Sequence, residues 1–246
     1  MKKKIVVVIS NFNEQREIGH CIQAFRETAT IEADLVVIDN SSSDRSLELV
    51  AAAGVDYIVH PVNTGGSAGV IKTALRYSYS HHYDIYCHLD GDNQHDPAQL
   101  QRLVAPILNG EADIVIGSRF LEKEGFQSFF FRRLSIFTFG RLVSWLAGQR
   151  ITDLSSGFRA YNRRAITFFS QQYKQEFEAC VQMLLIAAYA GLRLREVPAV
   201  MRPRRSGKSE FNLIKSLEFP IYSLISIFSV LLQRKQFKER ANATQC

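Results

Sequence analysis

Short apolar runs alternate with segments of helical periodicity through the first 120 residues of this sequence. The apolar runs are residues 4–10, 33–40, 56–60, 84–90 and 112–120. Most of them are apolar at successive positions, which predicts strands buried on both faces, as parallel strands are. Helical segments between such strands act as crossover connections. We therefore expect an α/β fold with a mostly parallel, doubly wound sheet and helices on both of its faces.

A cluster of polar residues follows each of the five predicted strands. The clusters are residues 11–14, 39–44, 63–66, 90–94 and 118–119. The carboxyl ends of parallel strands meet at one edge of a sheet, and ligands of doubly wound proteins bind at that edge. Polar clusters at five matching strand ends therefore predict a ligand-binding site rather than a purely structural domain.

The alternation ends near residue 120, and the sequence beyond it is richer in helices. Helices are predicted at residues 129–147, 176–190 and 211–238, a strand at 192–200, and a turn, short strand and helix start at 153–166. Pro220 predicts a kink or a restart within the last helix, because proline lacks a backbone donor.

Positive charge is concentrated at the C-terminal end of the chain. Residues 193–246 carry 11 Lys and Arg against 4 Asp and Glu, whereas the formal net charge of the whole chain is +6. A basic surface suits phosphates, anionic lipid or nucleic acid, or is simply a solvated face. Because no motif that reads a nucleic-acid groove is present, we expect no nucleic-acid partner.

The sequence predicts neither a disulfide framework nor a membrane-spanning helix. The four cysteines lack metal or redox spacing and are predicted to be mostly buried thiols of a reducing compartment. The apolar run after the basic N-terminus is too short for a signal peptide. No apolar run reaches the ~18 residues that a spanning helix needs.

An acid cluster follows the fourth apolar run, with Asp90 and Asp92 two residues apart and Gln94 close behind. Mg²⁺ and Mn²⁺ prefer oxygen ligands and combine one or two carboxylates with substrate phosphates. The cluster is therefore a candidate metal site, with one carboxylate on the metal and the other on its water or on a sugar. The alternative is an acidic turn that caps the helix beginning at Pro97.

Two further strand ends carry candidate nucleotide-binding groups. Asp39 ends the second strand, where an acid can accept hydrogen bonds from a ribose or a base. Ser43 or Asp44 could equally cap the following helix, and both roles are compatible. Glycines in residues 63–69 would let backbone N–H groups approach a ligand, although they form neither a dinucleotide fingerprint nor a P-loop.

Seven motifs occur in an order that resembles the family 2 glycosyltransferases with a GT-A fold. They are SNFNE, VVIDNSSSD, NTGGSAG, HLDGDNQHDP, DIVIGSRF, DLSSGFRAYNRR and RPRRSGKS, and together they cover roughly residues 4–210. Within the family, the sequence is most similar to the dolichyl-phosphate mannose synthase and polyprenyl-phosphate sugar transferase branch. Order and coverage make this resemblance more specific than any single motif.

The resemblance implies a division of the chain. Residues 1–210 would form a Rossmann-like GT-A catalytic domain, with a nucleotide-sugar-binding half at 1–120 and an acceptor half at 121–210. Beyond the matched part, the composition of residues 211–246 predicts a C-terminal amphipathic helix, apolar and basic, that is a candidate for membrane association. The spanning helices that follow in many relatives are absent from this sequence.

The resemblance also implies roles for individual residues. Asp39 would contact the nucleotide, and Asn13 and Glu14 would line its pocket. Asp90, Asp92 and Gln94 would bind the metal and the donor diphosphate. The basic loop that closes over the donor phosphates would include Arg202 and Ser209, with help from Arg204 or Arg205. Near the acceptor would lie Arg119, one of Arg132 or Arg133, and the turn at Gly157 and Phe158.

This sequence departs from the family pattern at two of the motifs. Ser10–Glu14 replaces the usual Pro-x-Tyr-Asn-Glu, and Asp39-Asn40 followed by Ser41 replaces an acid pair followed by glycine. These departures leave the base, UDP or GDP, and the sugar open, while the reaction class stays the same.

The expected reaction is inverting, metal-dependent transfer of a sugar from a nucleoside diphosphate sugar to a polyprenyl phosphate. One alternative acceptor is a hydroxyl of a cell-surface glycan or glycolipid, for which Glu178 is a candidate base or only a solvated helix residue. A second alternative is a non-catalytic nucleotide-sugar-binding protein, against which the intact acid cluster and basic loop argue.

Two segments predict association with a membrane surface. Residues 129–147 mix aromatic and basic side chains, which suits either an interfacial helix or a core helix. Residues 219–232 are apolar apart from Tyr222 and a stripe of three serines, Ser223, Ser226 and Ser229, that suits close helix contact or shallow insertion. Basic residues follow, so we expect a peripheral protein on the cytoplasmic face of the membrane.

Overall fold

A computed structural model describes residues 2–122, 130–172, 179–203 and 213–243 of the protein. Its strands are β1 (Ile5–Asn11), β2 (Asp34–Asp39), β3 (Asp56–Val59), β4 (Ile85–Asp90), β5 (Ile114–Ser118), β6 (Arg159–Asn162) and β7 (Leu194–Pro198). Its helices are α1 (Ile18–Thr28), α2 (Ser46–Ala52), α3 (Ser67–Ser80), α4 (Leu100–Leu108), α5 (Phe130–Ala147), α6 (Arg163–Gln172), α7 (Ala179–Tyr189) and α8 (Leu213–Ala243). A single 3₁₀ turn, Pro97–Gln99, leads into α4.

The seven strands form one sheet in the order β3-β2-β1-β4-β6-β5-β7. Neighbouring strands are parallel except at β6, which runs antiparallel to both β4 and β5. The predicted α/β class with a mostly parallel sheet is thus confirmed. The strand order reverses between β1 and β4, and such a switch point is where doubly wound sheets open a crevice for ligands.

Alternation of side chains along each strand divides the core between the two faces of the sheet. On β1, Val6 and Val8 face a core shared with α3, α6, α7 and α8. Ile5, Val7 and Ile9 face a second core that α1, α2 and α4 cover. Both faces are therefore buried, which is why the strand sequences are apolar at successive positions. The thiols of Cys21 and Cys87 are buried in the second core, as predicted.

Helix α8 packs its serine stripe inward and turns much of its apolar surface outward. Ser223 and Ser226 are completely buried beside Ile227 and Val230, in a helix that packs against α7 and α5. Small side chains allow this close approach of helices. The helix is continuous through Pro220, so the predicted restart is not found. Among the described residues, no helix is long and apolar enough to cross a membrane.

We predict that Leu75→Ala destabilises the protein by about 2–5 kcal/mol, because it leaves a cavity at a fully buried position of α3. Leu49→Ala on α2 makes the same change at a residue that is 37% exposed, and it should cost less than about 1 kcal/mol. Urea denaturation followed by circular dichroism measures both. Equal losses in the two variants would contradict the assignment of the core.

Candidate active site

The polar clusters lie at one edge of the sheet because the first five strands run in the same direction. Parallel pairing in register sets Ser10 beside Asp90 and Asn11 beside Asp39. The carboxyl ends of β1, β2 and β4 therefore form one continuous polar surface at the switch point, as the sequence predicts. The side chains on it differ in how tightly the protein holds them.

Asp90 is held on both of its carboxylate oxygens. Oδ1 accepts a hydrogen bond from Ser10 Oγ at 3.1 Å and lies 3.3 Å from His88 Nε2, while Oδ2 lies 3.5 Å from His95 Nε2. A Cβ atom on Gly157 would lie 3.0 Å from Oδ2, so the turn packs tightly against the carboxylate, which would have to shift for a larger residue.

The protonation of this group follows from its neighbours. Burial acts to raise the pKa of Asp90, but His95, His88 and Ser10 hold the net pKa well below its usual value. Burial lowers the pKa of His95 to about 4, against the opposing effect of Asp90. At neutral pH the site therefore contains an ionised carboxylate beside a neutral imidazole.

Asp92 and Gln94 lie in the turn that follows β4, and both are partly exposed. Asp92 Oδ1 accepts a hydrogen bond from the backbone N–H of Gln94 at 3.1 Å. The side chain of Gln94 donates to the Arg202 carbonyl at 3.1 Å. The turn thus presents a second carboxylate to solvent and is anchored to a distant part of the chain.

The oxygen groups of this turn fit a hard divalent cation that is shared with a phosphate ligand. Asp90, Asp92 and Gln94 supply carboxylate and amide oxygens, which Mg²⁺ and Mn²⁺ prefer. In the part of the chain that the structure describes, no group of three His, Cys, Asp or Glu side chains is placed to hold a metal ion by itself. A cation here would need further ligands from a diphosphate or water, as Mg²⁺ commonly does.

Arg202 folds back onto the acid cluster from beyond β7. Its backbone N–H donates to the Gln94 carbonyl at 2.9 Å, and its guanidinium lies 2.9 Å from Asp96 Oδ1. The Arg202 side chain is 37% exposed, so it remains accessible to a ligand. Ser209, Arg204 and Arg205, which are predicted to continue this basic loop, lie outside the described residues.

Asp39 is buried at the end of β2 and holds the loop that follows it. Its Oδ1 accepts hydrogen bonds from Asn11 Nδ2 at 2.6 Å and from Ser42 Oγ at 2.7 Å, and its Oδ2 accepts one from the Ser42 N–H. With the side chain 1% exposed, its observed role is to shape the loop. Contact between Asp39 and a nucleotide stays a prediction.

Asn13 and Glu14 lie beside the same loop. Asn13 is exposed, and its Oδ1 accepts a hydrogen bond from the Ser43 N–H at 2.8 Å. The Glu14 carbonyl accepts from the N–H of Ile18, which begins α1. Asp44 accepts a hydrogen bond from the N–H of Ser46, the first residue of α2, although Arg45 occupies the N-cap position.

A hydrogen-bonded cluster fixes the glycine turn before α3. Asn40 Oδ1 accepts hydrogen bonds from the Thr64 N–H and hydroxyl, at 3.0 and 2.8 Å, and lies 2.9 Å from His60 Nδ1. Gly65 and Gly66 both have positive φ, which glycine adopts without strain. The turn is therefore well defined, and its approach to a ligand stays a prediction.

Arg119 forms a buried, two-pronged ion pair at the end of β5. Its Nε and Nη2 donate to the two oxygens of Asp153, both at 2.7 Å, and Nη2 also donates to Ser155 Oγ at 2.6 Å. The Arg119 side chain is 12% exposed and that of Asp153 is fully buried. Glu196 accepts hydrogen bonds from the N–H groups of Thr152 and Asp153, which fixes the loop that carries the acid.

Several predicted acceptor groups cannot be compared with the structure. Gly157 lies against Asp90, and Phe158 is buried below the turn. Glu178 and the side chains of Arg132 and Arg133 lie outside the described residues. The structure therefore joins Arg119 to the loop 153–157 and leaves the other acceptor positions as predictions.

The sheet is mostly parallel, the carboxylates of Asp90 and Asp92 lie at its switch point, and Arg202 is bonded to the same turn. Residues 6–168 match the model of glycosyl transferase family 2, and the chain belongs to this family. The protein is therefore a glycosyltransferase, and both the resemblance and the fold that it implied are confirmed.

Relatives of this chain include proteins whose names describe sugar transfer to a lipid phosphate. UDP-N-acetylglucosamine–dolichyl-phosphate N-acetylglucosaminyltransferase of Methanococcus voltae is 26% identical over 215 residues, covering 80% of this chain and 84% of that protein. Undecaprenyl-phosphate mannosyltransferase of Micrococcus luteus is 27% identical, covering 85% of this chain and 88% of that protein.

A solved structure with the same fold is glucosyl-3-phosphoglycerate synthase of Mycobacterium tuberculosis in complex with Mn²⁺, UDP-glucose and phosphoglyceric acid. The TM-score is 0.69 at 20% sequence identity, and the alignment covers 92% of this chain and 79% of that one. At this identity, the likeness shows the fold alone.

Sequence reasoning missed the groups that hold the predicted site residues in place. His88 and His95 flank Asp90, Asp153 pairs with Arg119, and Glu196 fixes the loop between them. One signal was available for His88, since Tyr86, His88 and Asp90 occupy alternate positions of an otherwise apolar strand and must share a face. The partners of Arg119 depend on long-range folding and have no local signal.

We predict that Asp153→Asn costs about 3–5 kcal/mol near pH 7, because it leaves the buried Arg119 charge without its partner. Burial acts to raise the pKa of Asp153, but Arg119 lowers it, and the net pKa lies below the usual value. The ionised carboxylate therefore stabilises the native state above the ordinary Asp pKa of about 3.9, and this stabilisation is lost as the pH falls through the lowered native pKa.

The measurement is urea denaturation of both proteins from pH 7 down to the acid range. The difference between the wild type and Asp153→Asn should shrink as the acid is protonated. A constant difference across that range would contradict the ion pair. Asp56→Asn, which changes an exposed acid on β3, is the matched control and should stay within about 0.5 kcal/mol of the wild type.

Proposed function

We propose that the protein transfers a sugar, with inversion, from a nucleoside diphosphate sugar to a polyprenyl phosphate, in a reaction that requires Mg²⁺ or Mn²⁺. The observation that carries this proposal is the joining of Arg202 to the turn of Asp90, Asp92 and Gln94 at the switch point of the sheet. Two carboxylates and a guanidinium at one edge suit a ligand that contains both a cation and phosphates.

The donor side of the reaction requires a stabilised leaving group. The diphosphate gains negative charge as the glycosidic bond breaks, and a bound divalent cation would offset that charge where it develops. Asp90 and Asp92 would hold the cation, with the amide oxygen of Gln94 beside them. Arg202 would exchange its contact with Asp96 for a diphosphate oxygen, which its partly exposed guanidinium is able to reach.

The choice of donor is supported by the solved structure that shares the fold. That protein is described with Mn²⁺ and UDP-glucose, which makes UDP-sugars the first donors to test and GDP-sugars the second. Asn13 and the loop after Asp39 would line the nucleotide, because they are the groups at the adjoining strand ends.

The acceptor follows from the arginine beside the site. A lipid phosphate is already ionised near pH 7, since its second pKa is about 6, and so it needs positioning more than a base. Arg119 lies at the end of β5 and is paired with Asp153, on the loop that also carries Gly157 to Asp90. The names of the relatives from Methanococcus and Micrococcus support a polyprenyl phosphate as the acceptor.

An apolar stripe on α8 supports a membrane-bound acceptor. Its exposed residues recur at helical spacing, so they form one face, and they are Ile221, Leu224, Ile225, Phe228 and Leu232. The exposed cations Arg234, Lys235 and Lys238 follow directly in the same helix. An apolar face followed by cations suits a helix that lies in the interface of an anionic membrane. We therefore propose peripheral binding at the cytoplasmic face.

The proposed reaction predicts nucleoside diphosphate release only when donor, cation and polyprenyl phosphate are all present. A screen of UDP- and GDP-sugars with Mn²⁺ or Mg²⁺ measures that release and the labelled lipid product. Asp92→Asn should lower turnover by at least about 100-fold, because it weakens the cation site. Asp56→Asn on β3 is the control and should retain wild-type turnover.

Transfer by Asp92→Asn at the wild-type rate would contradict the metal-dependent mechanism. Product formation with a sugar hydroxyl, and none with polyprenyl phosphate, would contradict the acceptor while leaving the donor site intact. That result would favour the hydroxyl acceptor, for which Glu178 is the candidate base.

Membrane binding is tested with vesicles of anionic phospholipid. The wild type should sediment with them, and Phe228→Asp or Leu232→Asp should weaken binding about 10-fold or more, because each places a charge in the apolar face. Leu108→Asp at the end of α4, where the leucine is 48% exposed, makes the same change on another surface and should bind as the wild type does. Equal weakening in all three variants would contradict the assignment of α8.

A further inference from the structure

Three polar side chains occupy one face of the otherwise apolar strand β4. Tyr86, His88 and Asp90 alternate with Ile85, Cys87 and Leu89, which face the opposite core. Tyr86 and His88 are completely buried. Burial of a polar group is costly unless it is hydrogen-bonded, so this row requires partners within the protein.

The contacts of His88 fix which of its nitrogen atoms carries the proton. Nδ1 lies 2.6 Å from the Tyr86 hydroxyl, and Nε2 lies 3.3 Å from Asp90 Oδ1. A carboxylate only accepts hydrogen bonds, so the neutral His88 imidazole that suits both contacts carries its proton on Nε2 and accepts from Tyr86 at Nδ1. Nε2 is buried and is not aligned for a full hydrogen bond with any partner in the described part of the chain. Asp90 Oδ1 is the carboxylate oxygen that lies 3.3 Å from it.

His95 approaches the other oxygen of the same carboxylate. Its Nδ1 accepts a hydrogen bond from the Asp90 N–H at 3.0 Å, so the proton is on Nε2, which lies 3.5 Å from Oδ2. Asp90 is thus flanked by two imidazole N–H groups, one at each oxygen. The Tyr86 hydroxyl donates to His88 Nδ1, and the Asp90 N–H donates to His95 Nδ1. Each of these donors fixes the tautomer of the imidazole that it contacts.

We propose that Tyr86 and His88 are positioning residues that, with His95 opposite, fix the orientation in which Asp90 meets the divalent cation. The proposal rests on the proposed function, because it requires that Asp90 serve the cation. Neither Tyr86 nor His88 reaches the solvent, so neither touches the substrate. They act through Asp90, by holding the plane of its carboxylate at a strand end where the side chain is 35% exposed.

The expected effect is on cation affinity, since groups that orient metal ligands typically contribute 10–100-fold to it. The 3.3 Å contact would tighten when Asp90 binds the cation, because such contacts are often long and poorly aligned in the absence of ligands. Ser10 also donates to Oδ1, so loss of His88 alone leaves Asp90 partly held.

The chain offers a matched control for the Tyr86 hydroxyl. Tyr161 on β6 is also fully buried and stacks on Tyr86, with ring centroids 5.1 Å apart. Its hydroxyl lies 3.6 Å from Met183 Sδ and interacts with the Arg159 guanidinium, rather than lying beside His88. Tyr86→Phe and Tyr161→Phe therefore remove the same group from the same aromatic pair, and only the first breaks the contact with His88.

The experiment measures Mn²⁺ affinity by electron paramagnetic resonance of free Mn²⁺, in the presence of UDP and separately of GDP. Tyr86→Phe should weaken Mn²⁺ binding about 10-fold, and Tyr161→Phe should change it less than about 2-fold. His88→Leu should weaken it more, and His88→Gln, which retains an N–H near the position of Nε2, should recover part of the loss. Thermal melting of each variant reports folding.

The outcomes separate the positioning role of Tyr86 and His88 from the proposed function. If the wild type binds Mn²⁺ and Asp92→Asn does not, while Tyr86→Phe and His88→Leu bind as the wild type does, the positioning role is overturned and the proposed function stands. If the wild type binds no Mn²⁺ with either nucleotide, the positioning role is overturned, and so is the proposed function with Mn²⁺ as its cation. Equal losses in Tyr86→Phe and Tyr161→Phe overturn the positioning role and indicate a general packing effect. If His88→Leu does not fold, the two tyrosine variants decide.

Discussion

The pairing of β1 with β4 is the constraint on which the rest of the site depends. These strands are adjacent at the centre of the sheet, and the chain order changes direction between them. The reversal leaves a crevice at their carboxyl ends, since the connections on the two sides lead away from each other. Register within the pair then sets Ser10 beside Asp90, so the hydroxyl that holds the carboxylate comes from the neighbouring strand.

The antiparallel strand β6 brings a further loop, residues 153–157, to the edge of the sheet where the site lies. It enters the sheet between β4 and β5, and the loop that leads into it crosses the edge where the acids lie. That loop carries Asp153 to Arg119 and Gly157 to Asp90. The fully buried Arg159, at the start of β6, donates to the carbonyls of Leu154 and Ser156 and so braces the loop from below.

The sequence allows prediction of features that depend on neighbouring residues, such as strands and their ends. It does not allow prediction of strand order or of side-chain contacts between residues far apart in the chain. Strands β1 to β5 and the edge at which they end follow from apolar runs and the polar groups behind them. The insertion of β6 between β4 and β5 does not follow, because strand order is set by contacts between residues far apart in the chain. Asp39 illustrates the limit, since its type and position suggest a ligand while its partners Asn11 and Ser42 make it a buried loop support.

The loop 153–157 links the two charged parts of the site and limits how independently they can change. At one end, Glu196 fixes the backbone of Asp153, which in turn holds the Arg119 guanidinium. At the other end, a Cβ atom on Gly157 would lie 3.0 Å from Asp90 Oδ2, so a larger residue there would push against the carboxylate. A shift of this loop would therefore move two groups together. These are the Arg119 guanidinium, which faces the proposed acceptor, and the Asp90 carboxylate, which faces the proposed donor. Such coupling keeps two opposite charges at a fixed separation, as a transfer between two anionic ligands requires.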